Sequence, residues 1–160
     1  FIALPEVSSV NRRYLPVGFL DSDCIISNKI YGAEDDGGVL FAIASSTMFI
    51  TWMKTVGGRM KSDLSLSSTI TWNNFPIPDL DDQTRAAVIK AGLGIRAARA
   101  KYPERTLAEH YNVTAMDPSL VGAHDALDRV IDKAFGATRR ITGLEQRQEV
   151  LFAHYAAAIS

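Results

Sequence analysis

The chain has 160 residues, 47% of them hydrophobic and 22% charged, which is enough apolar material for a sizeable core and excludes a disordered chain. Its 17 Lys and Arg against 18 Asp and Glu leave a net charge of -1, which argues against a module that coats nucleic acid by bulk electrostatics, because such modules are strongly basic. A single cysteine, Cys24, excludes an internal disulfide framework and suits a reducing cytoplasm; beside Ile25 and Ile26 it reads as a small buried residue.

In chain order, residues 1–31 carry β signals in three runs, FIALPEV, RRYLPVGFL and CIISNKIY, separated by Pro, Gly and Asp-Ser-Asp punctuation. They predict short strands of a twisted, mostly antiparallel sheet, with Pro5 and Pro16 at strand edges or bulges. The opening run is too short for a membrane span and lacks the layout of a signal peptide, and a start on Phe1 rather than Met suits a piece of a longer protein. GAEDDGG (32–38) is a turn without the carboxylate spacing or closing Glu of a calcium loop. VLFAIASSTMFITWMKTV (39–56) predicts one helix, buried on most of its circumference. Gly57 and Gly58 would end it in a left-handed cap and deliver residues 59–65 to a fixed place.

The next segment, GRMKSDLSLSSTITWNNFPIP (58–78), sets charges and hydroxyls on an extended run. Lys61, Asp63 and Ser65 stand two residues apart, so one face of a strand would present a donor, an acceptor and a small hydroxyl. That is the chemistry which reads base edges: Lys donates to guanine O6 and N7, Asp accepts from cytosine N4, and Ser does either. A solvated edge strand would show the same alternation. Residues 67–72 read as a returning strand and NNFP as an irregular exit. Asn74 and Phe75 superficially resemble the base-receiving loop of adenine methyltransferases, but no proline separates them and no glycine-rich cofactor loop follows a strand, so NNFP is assigned to structure at a domain boundary.

Beyond Pro78 the chain is helical. Asp79, Asp81 and Asp82 suit the N-terminus of a helix that ends at Tyr102 before Pro103. Helices over 118–136 and 144–158 carry apolar faces, Leu120, Leu127, Val130, Ile131 and Ala134 on one and Val150, Leu151, Tyr155 and Ala158 on the other, and should pack as a small bundle. His110, His124 and His154 lack second ligands at metal spacing, and His124 beside Asp125 reads as a helix-surface or interface residue. The fold class is α+β: a small mixed or antiparallel sheet with one long buried helix, then a helical domain.

The blocks FIALPEVSS, RRYLPVGFL, IISNKIY, STMFITWMKTVGGRMKSD, TWNNFPIP and MDPSLVGAHDALDRVIDKAFG, in this order, resemble the MmeI-like (type IIL) restriction-modification enzymes, single chains that join a nuclease, an adenine methyltransferase and a DNA-reading module. The resemblance implies a target recognition domain at 1–78 and a C-terminal helical domain at 79–160. It implies a partner, double-stranded DNA, read at a short asymmetric site by the SN-x block and the later GR-x-x-S segment, here Asn28 and Lys29 with Lys61, Asp63 and Ser65. Arg12, Arg13 and Arg59 are the candidate phosphate contacts, on a local patch with Lys29 and Lys61. On this reading the fragment has no catalytic residue or metal of its own. S-adenosylmethionine and Mg belong to the parent protein, whose methyltransferase domain is a second partner, and the setting is the bacterial cytoplasm with no membrane contact. The reading from a different class is a structural or protein-interaction domain whose helical half docks another chain, with the charged strand serving solubility.

Overall fold

A computed structural model of the protein, describing residues 1–159, contains two small antiparallel sheets and a set of helices on one core. The first sheet has the order β3-β1-β4, with β1 (Ile2–Pro5) central, β3 at Gly18–Phe19 and β4 at Ile30–Ala33. Ile2, Ala3 and Leu4 are all buried, as a central strand covered on both faces requires. Pro5, which cannot donate to the ladder, is the last residue of β1.

After Pro5 the strand bends and changes sheets. The Glu6 amide donates to Lys29 O (2.9 Å), and the Glu6 carbonyl accepts from the Leu66 amide (2.8 Å). The chain continues as β2 (Val7–Ser8) in a second sheet, completed by β5 (Gly58–Met60) and β6 (Asp63–Ser65) in the order β2-β6-β5. The expected strand through CIISNKIY forms only from Ile30 onward, so Asn28 and Lys29 lie in the turn before it, and β4 takes two residues from the expected turn at 32–38. That turn still acts as a helix start: the Asp35 carboxylate accepts from the Leu40 and Phe41 amides (3.1 and 2.7 Å).

The apolar run 39–56 is two helices, α1 (Val39–Ser45) and α2 (Thr47–Val56), bent by 62°. The cause is Ser46, whose backbone is extended and whose hydroxyl donates to Ile43 O (2.6 Å) and accepts from Phe49 N (3.3 Å), ending one helix and capping the next. No single helix among the described residues is long and apolar enough to cross a membrane. Gly57 does not adopt the expected left-handed cap; its backbone is extended, and glycine is needed there because a Cβ would stand 2.4 Å from Met53 O.

Residues 67–72 are not a strand either. Ser68–Trp72 form a π-helical turn, because the Thr71 hydroxyl bonds both the amide and the carbonyl of Ser67 (2.7 and 2.8 Å) and Trp72 N reaches back five residues to Ser67 O (2.9 Å). Asn74 Nδ2 donates to the Thr69 and Ile70 carbonyls (2.6 and 3.1 Å), closing the turn. Phe75 then plugs an aromatic cluster, 5.1 Å from Phe49, 6.3 Å from Trp52 and 5.8 Å from Phe135 between ring centroids.

The helical half comprises α3 (Asp82–Arg99), α4 (Leu107–His110), α5 (Pro118–Ala134) and α6 (Leu144–Ile159). Asp81 caps α3 through Thr84 N (2.7 Å), and the helix stops three residues short of the expected Tyr102. These helices pack both on one another and on the first half: α3 lies on α5 and on α1, and α6 lies on α2. One core therefore runs from Ile2 to Leu151. Two buried carboxylates lock α5 in place. Asp128 accepts from the amide (2.8 Å) and hydroxyl of Thr47 at the start of α2, and Asp132 binds Arg147 of α6 through two bonds of 3.0 and 2.8 Å. Burial pushes both carboxyl pKa values up against the stabilising influence of these partners.

The contact of α3 with α1 depends on Gly92, where a Cβ would meet Ala42 Cβ at 2.8 Å; two residues on, a Cβ at Gly94 would meet open space. Overpacking costs about 1–3 kcal/mol while replacing a mid-helix glycine by alanine returns about 1 kcal/mol, so the two substitutions should differ in sign. Gly92→Ala is expected to lower the urea midpoint and Gly94→Ala to raise it; equal upward shifts would mean that α1 and α3 are not in this close contact.

Candidate nucleic-acid interface

β5 and β6 form a tight hairpin in which Met60 faces Asp63, Arg59 faces Leu64 and Gly58 faces Ser65. The connection is two residues long, and its first, Lys61, has φ 57, the only positive φ at a non-glycine among the described residues. Lys61 is thus not on a strand face with Asp63 and Ser65, as period-two spacing suggests, but at the exposed tip, in a conformation that favours glycine or asparagine. Asp63 and Ser65 do share a face, and they share it with Met60 and Gly58 opposite them and with Val7 of β2. Leu64, fully buried, and Ser8 point the other way. The outer face thus carries one carboxylate and one hydroxyl among small or slender neighbours, with an ammonium at its end.

Lys29 is linked to the end of β6 through Glu6, whose amide donates to Lys29 O and whose carbonyl accepts from the Leu66 amide. Its ammonium pairs with Glu6 Oε2 at 3.0 Å, and Asn28 beside it is exposed. The structure therefore brings the SN-x turn and the hairpin together through a single intervening residue. The loop that leads into the turn exposes Ile25 almost completely (99%) and also exposes Cys24, contrary to the buried position expected for it; Ile26 is the one that packs, over Gly32.

The candidate phosphate contacts do not share one patch. Arg13 donates to Asp125 of α5 at 2.6 Å, and so its charge is already matched. Arg59, exposed across from Leu64, folds back over the end of α2, donating to Lys54 O (2.9 Å) and Gly58 O (3.3 Å). Arg12 meets this cluster through its carbonyl, which accepts from Lys54 Nζ at 3.4 Å. Lys54 was not singled out in the sequence; the signal available was that it is the only charged residue in the whole run 39–56.

The RRY segment is held by a buried polar network. His124, expected near the surface, is fully buried on α5; the Tyr14 ring stacks on it at 3.8 Å and the Tyr111 hydroxyl bonds its Nε2 at 2.8 Å. Arg99 donates to that same hydroxyl and to Val17 O (2.7 Å). Burial, reinforced by the Arg99 charge, lowers the His124 pKa to about 3, and burial also raises the Tyr14 pKa. The exposed large apolar side chains of the helical half, Leu93, Leu107, Val113, Leu144, Phe152 and Ile159, are spread over α3, α4, the loop after it and α6.

Comparison with known proteins matches this chain to two adjoining family descriptions: "MmeI, target recognition domain" over residues 1–79 and "MmeI, C-terminal domain" over residues 80–159. DNA methyltransferase A of Bacillus subtilis (strain 168) is 38% identical over 154 residues, covering 96% of this chain and 17% of that protein. A solved structure of the type IIL restriction-modification enzyme MmeI in complex with DNA superposes with a TM-score of 0.93 at 33% identity, over 99% of this chain and 21% of that one. The chain thus spans about a fifth of the length of these relatives.

The His124 network has a pH signature. With the folded pKa depressed to about 3 from the usual 6.5, the unfolded chain takes up a proton that the folded chain refuses, so stability is full above about pH 6.5 and falls as pH drops towards 3. The slope contributed is up to about 1.4 kcal/mol per pH unit. Asp128 and Asp132, with raised pKa values, act in the opposite sense, so the informative quantity is the difference from His124→Gln. Urea unfolding between pH 7 and pH 4 should show the variant losing less stability than the parent; parallel losses would place His124 in solvent.

Proposed function

The chain belongs to the MmeI family, as its target recognition and C-terminal parts, and from that premise we propose that it reads the base sequence of a duplex DNA site for a larger adenine methyltransferase and restriction endonuclease. The observation that carries this is the hairpin: a rigid, core-anchored support that turns Asp63 and Ser65 outward and lifts Lys61 to the tip, with Lys29 alongside. That the solved relative is an enzyme in complex with DNA supports a DNA-binding role for the chain.

Lys61 donates to guanine O6 or N7 and Asp63 accepts from the N4 amine of the paired cytosine, so the two side chains together read one G·C pair in the major groove. Lys29, with Asn28 beside it, acts with Ser65 on a second base pair. In the free chain the exposed Lys29 ammonium rests on the largely buried Glu6 carboxylate, a pair that has to open or turn for Lys29 to reach a base. The piece itself performs no chemistry in this reading. Methyl transfer from S-adenosylmethionine and Mg-dependent cleavage belong to the remainder of the parent, whose methyltransferase domain is the second partner, in the bacterial cytoplasm.

The reading is tested by selecting bound duplexes from a randomised pool and sequencing them. Exchanging the two charges, Lys61→Glu with Asp63→Arg, swaps acceptor and donor along the groove and should replace G·C by C·G at one position while leaving the others unchanged. Each single change leaves an unmatched group against a base and should weaken the original site by about 1–3 kcal/mol. An unaltered preference at every position would make the hairpin a solvated edge.

A further inference from the structure

We infer that Lys54, at the end of α2 with Arg59 against it, binds a backbone phosphate of the DNA and sets the register of the base-reading hairpin. This rests on the recognition reading above and adds a contact to it. Lys54 is half-buried, and its ammonium, with three protons to donate, makes one long bond, to the Arg12 carbonyl at 3.4 Å. Arg59 lies on the Lys54 carbonyl at 2.9 Å. The ion pairs among the described residues are Arg13 with Asp125, Lys29 with Glu6 and Arg147 with Asp132; neither Lys54, Arg59 nor Arg12 has a carboxylate partner.

A helix C-terminus attracts cations, but its charge is only about half an electron, against at least two full positive charges here. The surplus is felt: burial, and after it the repulsion of Arg59, lowers the Lys54 pKa, with no carboxylate acting against them. An anion at this place would relieve both. The hairpin specifies which anion. Arg59 is in β5, directly across from Leu64 and next in sequence to Met60, which faces Asp63, so the cluster is within one strand of the outer face that reads bases. Base readers need neighbouring phosphate contacts to fix their position on the duplex. Of the expected contacts Arg13 is paired with Asp125, and Lys54 joins Arg59 and Arg12 as the cations here that have no carboxylate partner among the described residues.

The test measures binding of the chain to a fluorescent duplex, taken from its own selected pool, over a series of KCl concentrations. Lys54→Met keeps the buried stem and removes the charge; it should weaken binding and reduce the slope of log K against log salt by about 1, with the selected base sequence unchanged, while Lys54→Arg keeps the slope. An unaltered slope in Lys54→Met, or a changed base preference, overturns the assignment. Failure of the parent chain to bind any duplex overturns instead the recognition reading on which it rests. In the unsubstituted chain the Lys54 ammonium pKa, followed by NMR, should rise when the duplex is added; no change would overturn the assignment even if the variant were poorly folded.

Discussion

The burial of α2 is the constraint on which the rest of the structure depends. Met48, Phe49, Ile50, Trp52 and Met53 are all inside, each worth roughly 1.5–3 kcal/mol of transfer from water. The surfaces that cover them come from both halves of the chain: the π-helical turn whose Thr71 carbonyl accepts from Trp52 Nε1 (2.9 Å), Phe75 of the NNFP exit, and Tyr155 of α6. The hairpin begins two residues after this helix ends, and Gly57 lets the chain leave without striking the Met53 carbonyl. On the proposed function the base-reading surface has to be placed to within a fraction of an ångström, and the buried helix at the root of the hairpin supplies that support.

The hairpin divides its labour between two faces. Leu64 and Ser8 point inward and tie the ribbon to the core, while Arg59, exposed across from Leu64, bonds back to the end of α2. Asp63, Ser65 and Met60 point outward with nothing in the fold that needs them there. Lys61 occupies a left-handed position where glycine would be easier, so the turn did not select it. The proposed base-reading role of Lys61 would give this less favourable conformation a purpose.

Much of this was legible in the residues. The apolar density of 39–56 marked the central helix, the Pro and Gly punctuation marked the short strands, and the aspartates before α3 marked its start. Two of the hidden features share one cause, local side-chain bonding that hydrophobic periodicity does not register. Ser46 splits the helix without disturbing its apolar pattern, and Ser67, Thr71 and Asn74 wind a β-like stretch into a π-helical turn. The hairpin tip carries Lys-Ser rather than Asn-Gly, so it reads as continuous strand. His124 looked exposed because Asp125 follows it, yet the helix turns the two onto different faces, one into the core and one out to Arg13.

On the proposed function the outer hairpin face and the 27–29 turn form the surface that meets DNA, and NMR mapping of the chain with a duplex from its selected pool locates that surface. The largest amide shifts should fall on residues 27–29, 54 and 58–65, with α6 unaffected. Shifts centred on α6 or on the exposed side of α3 would contradict it and would move the interface to the helical half.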